Sequence, residues 1–185
     1  MENDKPTRLV QAAGSVVHER GFNATSLAQI AERADVPLGN MYYYFKTKDA
    51  LGHALVEHYG RHQETQRQGW DSNEDPHARL EAFINNTVAE RDVLARHGCP
   101  IGTLNAELHK QGGPLAHAFG NIFADLLAWL AQQFRDLGAG VQESHHLAAH
   151  LLSALQGAAL LAHTFDDPQF ITGEATLLKN WIQAL

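Results

Sequence analysis

The amino-acid sequence predicts an all-α fold of nine helices, a three-helix N-terminal module followed by a larger helical domain. Three observations lead there. Apolar residues recur at three- and four-residue spacing along most of the chain, the period of a helix with one buried face. Sustained period-two alternation and Asn-Gly or Asp-Gly hairpin turns do not occur. The 185 residues, 44% of them hydrophobic, suffice for a buried core, and 6 prolines and 15 glycines are too few for a disordered or fibrous chain.

Each element has its own signal. Leu9, Ala13, Val16 and Val17 stripe a first helix that Gly21 can stop. Ser26 and Gln29 fit a capping box at the start of a second, in which a hydroxyl and an amide satisfy nearby backbone donors. Asp35-Val36-Pro37 interrupts that helix, and Pro37 suits the first position of a third, which runs to about Tyr44. Thr47 can cap a fourth, with Leu51, Ala54, Leu55 and Tyr59 inward. Residues 69–76 read as a loop by their turn residues. The fifth helix carries Leu80, Phe83, Ile84, Thr87 and Val88 until residues 97–100 break it, and a brief sixth spans Thr103 to Leu108. Two long apolar helices follow, near Leu115–Leu137 and Ser144–Phe165, the second carrying Leu147, Leu151, Leu152, Leu155, Leu160 and Leu161. A last helix, near Phe170–Ala184, has the apolar residues Leu177, Leu178, Trp181 and Ile182.

Composition narrows the function. Cys99, the one cysteine, excludes an intramolecular disulfide and any multi-cysteine zinc site. No uninterrupted apolar run reaches the ~18 residues of a spanning helix, and the polar start at Met1–Lys5 leads into no secretory core, so a soluble, cytoplasmic protein away from the membrane is expected. The net charge of −7 argues at first against nucleic acid. Its distribution does not: residues 1–70 hold eight basic and eight acidic side chains, and residues 71–185 hold six and thirteen. The first part can carry a local basic face while the rest is repelled by phosphate.

Three short helices, the last two joined by a tight turn, are the plan of a helix-turn-helix. Ile30, Ala31, Val36, Met41 and Phe45 can form its core. The third helix then shows Leu38, Gly39, Asn40, Tyr42, Tyr43 and Tyr44 outward, with Lys46 and Lys48 behind. Asparagine bonds base edges, tyrosine hydroxyls and lysines reach phosphates, and glycine lets a backbone come close. From composition alone, the Tyr-Tyr-Tyr-Phe run could equally be core aromatics.

Residues 22–51 settle that choice by resemblance. Thr25-Ser26, Ile30-Ala31, Val36, Gly39, Met41-Tyr42, Tyr44-Phe45, Lys46, Lys48 and Leu51 look like the signature of the TetR family of bacterial transcriptional regulators. The resemblance implies a nine-helix homodimer that binds double-stranded operator DNA through helices one to three and the start of the fourth. It implies a DNA-binding domain over 1–48 and a ligand-sensing, dimerising domain over 49–185, most simply a repressor released by a small-molecule effector, with no cofactor. By position, Thr25 and Ser26 resemble the family's phosphate contact. Leu38, Gly39, Asn40 and Tyr43 fall where bases or their backbone are met, and Tyr42, Tyr44 and Lys48 where phosphates are held. Two positions depart from the pattern. Pro37 stands where a capping serine or threonine is frequent, and Leu38 is apolar, so it can meet only a thymine methyl.

Beyond residue 60 the resemblance is weak, though Gly98-Cys99-Pro100-Ile101-Gly102 is similar to one subgroup. Small residues Ala154, Gly157 and Ala158 lie three and four apart and permit a close helix crossing. With Leu161, Leu178 and Trp181 they make an expected dimer interface, the competing possibility being internal packing. Phe83, Thr87, Cys99, Ile101, Thr103, Leu104, Phe123 and Leu126 are the expected effector-lining residues, and Asn105 adds a polar handle. His146 and His150 have the i,i+4 spacing of two metal ligands, but no acidic or cysteine partner falls at a regular distance and no metal site is expected. Cys99 is either inert core or a sensor of oxidants and electrophiles. No Gly-x-Ser-x-Gly elbow or phosphate-binding glycine loop is present, so an enzyme is not expected. The rival is an all-α small-molecule binder or enzyme without DNA binding.

Overall fold

The computed structural model describes residues 4–185; Met1–Asn3, which open the expected N-terminal module, lie outside the described residues. Those described fold into ten helices without a strand: α1 Lys5–Arg20, α2 Leu27–Arg33, α3 Leu38–Tyr44, α4 Lys48–Asp71, α5 Pro76–Ala89, α6 Arg91–His97, α7 Pro100–His109, α8 Pro114–Asp136, α9 Val141–Phe165 and α10 Gln169–Gln183. The fold is all-α, and the nine-helix count holds when α5 and α6 are taken as one helix interrupted at Glu90 (φ −95°, ψ 4°). One residue in the bridge region suffices to break the hydrogen-bond ladder there.

The chain divides into two compact units. The first takes the described residues through His62 together with Ile101–Ile122; the second takes Gln63–Pro100 and Phe123–Leu185. In the first, α1 packs on α2 and α2 on α3. Leu9, Ala13, Val16 and Val17 are buried, as their spacing predicts, and so are Ile30, Ala31, Val36 and Met41; Phe45 is half-buried. The capping box forms in both directions: the Gln29 amide donates to Ser26 Oγ at 3.3 Å and the Ser26 amide to Gln29 Oε1 at 2.8 Å. Such a cap is worth about 1 kcal/mol, a large share for a seven-residue helix.

In the second unit α9 packs against α6 and α10, and α10 against α5. Leu80, Ile84, Leu130, Phe134, Leu151, Leu155, Leu178 and Ile182 meet in its core. Each fully buried side chain of this kind contributes roughly 1.5–3 kcal/mol before the entropy of ordering it. By length and a mean hydropathy of 1.2, α9 alone among the described helices could cross a membrane. Its apolar side, Leu151, Leu155, Ala159 and Ala162 included, is buried within this unit, and a core helix passes the same test.

Two boundaries differ from expectation. The loop foreseen over 69–76 is shorter, because α4 continues through Gly69 and Trp70 to Asp71. Trp70 meets Phe83 edge to face at 5.8 Å and lies tilted against Trp129 at 5.3 Å, while Asp71 accepts from the Trp129 indole at 2.9 Å. These contacts outweigh the ~1 kcal/mol that a helical glycine costs. Helix α9 begins three residues early, its first turn supported by the Gly140 amide donating to the Glu143 carboxylate at 3.3 Å.

Candidate nucleic-acid interface

The α2–α3 connection is held from outside as well as from within. Asp35 takes a left-handed conformation (φ 50°) that reverses the chain, and the Val36 amide closes back on the Ala31 carbonyl at 2.9 Å. Arg8, on α1, donates to the carbonyls of Ala34 and Asp35. Pro37 caps α3 rather than entering it, so the helix starts one residue later than expected. Met41 anchors α3 with no exposed surface. The opposite face carries Leu38, Tyr42 and Tyr43, 41%, 51% and 78% exposed, with Tyr44 beside them and Gly39 open. Asn40 is half-buried at its edge. Tyr43 and Tyr44 meet edge to face at 5.0 Å. A seven-residue helix that shows three phenols and buries one methionine is built to present, not to pack.

Two expected DNA contacts are corrected in detail. Thr25 is 2% exposed and its hydroxyl donates to the Gly21 carbonyl at 2.8 Å, so it closes the α1–α2 turn instead of facing outward. Ser26 alone of that pair is exposed. Lys48 is half-buried: its Nζ donates to the Asn23 carbonyl at 3.1 Å and sits 4.9 Å over the Phe22 ring. Burial lowers its pKa from the ordinary lysine value, with Glu107 and Asp49 opposing the shift. Lys46 is exposed. Arg33 is committed to Glu19 through two 2.9 Å hydrogen bonds, which raise its pKa further.

The residue that sequence reasoning missed here is Glu107. From α7 its carboxylate accepts the Phe22 amide at 2.8 Å and the Asn23 amide at 2.6 Å. No local spacing signals a partner 84 or 85 positions away.

The expected effector-lining residues fall in both units. Phe83 and Leu126 are buried in the core of the second unit, where Phe123 is half-buried against the same cluster. Thr87 is half-buried there. Cys99 packs against the cluster of Leu94, Ala95, Ala158, Ala159, Ala162 and Ile171, and Gln156 Nε2 lies 3.5 Å from its sulfur. Ile101 and Leu104 are buried in the first unit, and Thr103 is exposed. Asn105, beside them, donates its amide to the carbonyls of Ile101 and Phe119 at 3.1 and 3.3 Å, which leaves buried Oδ1 without a donor. Gln66 Oε1, in the second unit, is the other such atom; nothing in the sequence marks it.

The residues expected at a dimer interface do not share one exposed face. Ala158 and Leu178 are turned into their own subunit's core, Ala154 is half-buried against it, and Trp181 lies against Phe134 and His150 at 5.8 and 4.9 Å. Leu160 and Leu177 are each 64% exposed, and Leu161, Phe165 and Phe170 are exposed in lesser or similar degree. Gly157 shares that outer side, and a Cβ built there meets nothing within 4 Å. The reason is one of phase: α9 is apolar on both faces, so spacing alone does not say which face looks inward. His146 and His150 are exposed, and among the described residues no group of three potential ligands converges.

Comparison with known proteins agrees with this architecture. Residues 9–55 match the model of the N-terminal domain of bacterial regulatory proteins of the tetR family, and residues 76–173 that of the LmrA/YxaF-like transcriptional regulator C-terminal domain. An uncharacterized HTH-type transcriptional regulator of Lactococcus lactis is 24% identical over 94% of this chain and 90% of its own length. The HTH-type transcriptional repressor NemR of Escherichia coli is 28% identical over 58% of this chain and 53% of its own. A TetR transcriptional regulator from Legionella pneumophila superposes with a TM-score of 0.83 at 19% identity, covering 94% of this chain and 95% of its own. With an exposed α3 on a buried three-helix core, and family models matching both halves of the sequence, the chain belongs to the TetR family of DNA-binding transcriptional regulators.

Proposed function

We propose that the chain is a homodimeric repressor that holds a near-palindromic operator and releases it when a small-molecule effector binds. The observation that carries this is the outer face of α3: Leu38, Tyr42 and Tyr43 are exposed while Met41 is fully buried beneath them. Leu38 and Asn40 are the base readers, apolar contact to a thymine methyl and paired bonds to adenine being the matching chemistries. Ser26, Tyr42, Tyr44 and Lys46 reach phosphates, and Gly39 and Tyr43 lie against the groove. Two modules must act together, because half-sites on one face of the duplex lie about one helical turn apart or a multiple of it.

The second copy covers the outer side of α9 and α10, where Gly157, Leu160, Leu161, Phe165, Phe170 and Leu177 leave apolar surface uncovered. Such a patch on a protein that needs two-fold symmetry fits an isologous contact. The effector is an apolar molecule with an N–H or O–H group, since buried Asn105 Oδ1, beside the expected lining residues Ile101 and Leu104, is a carbonyl acceptor without a donor. It acts by favouring one arrangement of the modules over the other; a ligand indifferent to both shifts nothing. The role is binding rather than catalysis, in the cytoplasm where the DNA is.

A mobility-shift experiment tests the central claim, using DNA from upstream of the protein's own gene with excess unrelated DNA as competitor. A specific complex with two subunits per site is the expected result. Binding no tighter than to the competitor, at low salt and over several upstream fragments, would remove the reading.

A further inference from the structure

We propose that Glu107, which lies far outside the DNA-binding module in sequence, is a positioning residue for operator binding. This rests on the DNA-binding reading of α2 and α3. The argument starts at the α1–α2 turn. Gly21 ends α1 with φ 83°, and the next two residues, Phe22 and Asn23, belong to no helix. Backbone donors at such a turn need acceptors. Both find the same carboxylate, Glu107 Oε2 at 2.8 Å and Oε1 at 2.6 Å. Hydrogen bonds to a charged acceptor are about twice as strong as neutral ones, and two from adjacent amides fix orientation as well as position.

The turn is gripped from a second side. Lys48 Nζ, at the start of α4, donates to the Asn23 carbonyl at 3.1 Å and lies over the Phe22 ring, itself 4% exposed. The ring reaches the backbone of α4: a Cβ on Gly52 would come within 3.1 Å of Phe22 Cζ. The space beside Gly21 is equally filled, because a Cβ there would stand 3.0 Å from Glu107 Oε2. Three residues beyond Asn23 comes Ser26, which caps α2 and shows its hydroxyl to solvent. Thr25, between them, bonds back to Gly21. The first DNA-facing hydroxyl is therefore held by a short, fully bonded stretch whose outer anchor is on α7. Any displacement of α7 moves that anchor, so the same carboxylate makes the pose of α2 depend on a helix that bears the proposed effector residues Ile101, Thr103 and Leu104.

The test uses the full-length protein and DNA recovered by it from a randomised pool. Glu107→Leu removes both acceptors; Glu107→Gln keeps the length and one carbonyl oxygen. Affinity for the selected DNA is expected to fall about tenfold for Glu107→Leu and less for Glu107→Gln, the size of one charge-assisted bond lost from a positioned site. Affinity for unrelated DNA at the same salt is expected to stay within about twofold. Amide exchange at Phe22 and Asn23 is expected to speed up in both variants. Operator affinity that is unchanged while those amides exchange freely overturns the proposal. So does a parallel fall in specific binding, unrelated binding and melting temperature, which marks a purely structural contact. A wild-type protein that enriches no sequence from the pool instead overturns the DNA-binding reading, and the proposal with it.

Discussion

The outward faces of α3 and of α9 with α10 both leave large side chains uncovered, and they differ in kind. On α3 the exposed groups are three phenols beside an asparagine and a leucine, amphipathic surface that keeps a polar tip wherever it is buried. On α9 and α10 they are leucines and phenylalanines without polar atoms, Phe165 stacked on Phe170 at 5.5 Å. The first suits a partner that stays wet and charged. The second gains only from a partner equally apolar, and a second copy of the same face is one. The two faces thus differ in chemistry rather than in exposure, which is why the proposed contacts with phosphate and with a second copy are assigned to different ones.

The sharpest way to break the comparison is to put charge on the second face. Leu160→Glu with Leu177→Glu is expected to leave each subunit folded, since both positions are exposed, but to yield monomers by light scattering. Operator affinity should then fall by roughly 100-fold or more as the paired half-sites lose their linkage. A dimer that persists places self-association elsewhere. On the first face, Lys46→Ala is expected to cost only a few-fold in affinity and to flatten the salt dependence by about one counterion. Lys48→Ala should cost more, because it also frees the Asn23 carbonyl and the Phe22 ring. Equal losses would mean that the turn contributes nothing to DNA binding.

The smallest expected effect concerns neither face. Burial, helped by His62 and Arg61, lowers the pKa of His58 below its ordinary 6.5. The folded chain then binds fewer protons than the unfolded one as pH drops through that value, so stability declines below about pH 6.5. His58→Gln should remove about a degree or two of the melting-temperature loss between pH 7 and 5.5, a modest amount because the ring is partly solvated. An identical pH profile in wild type and variant would refute the assignment.

Local features were legible in the sequence, and non-local ones were not. The Ser26–Gln29 cap and the buried stripe Leu9–Val17 follow from spacing within a few residues, and the exposed tyrosines from the resemblance of residues 22–51. The contacts of Thr25 and Lys48 depend on what stands across a turn, so a motif that matches by type could not say that the Thr25 hydroxyl donates to the Gly21 carbonyl and that Lys48 gives one of its donors to the Asn23 carbonyl. In α9, apolar on two faces, periodicity found the helix but not which face looks inward: Ala158 is buried and Leu160 exposed. Trp70 kept α4 helical past a glycine because of Phe83 and Trp129, partners that no window around residue 69 contains.

The first compact unit is discontinuous in the chain, and this has a consequence on the ribosome. Its opening stretch ends at His62, but the unit is complete only when Ile122 has emerged, sixty residues later. At ~5–20 residues per second that is a wait of about 3–12 s. For most of that interval the nascent α1–α2 turn has no Glu107 to receive the amides of Phe22 and Asn23. Newly made protein should therefore acquire its DNA-reading pose late, after most of the polypeptide has been synthesised, and slowing translation between codons 63 and 122 should lengthen the delay.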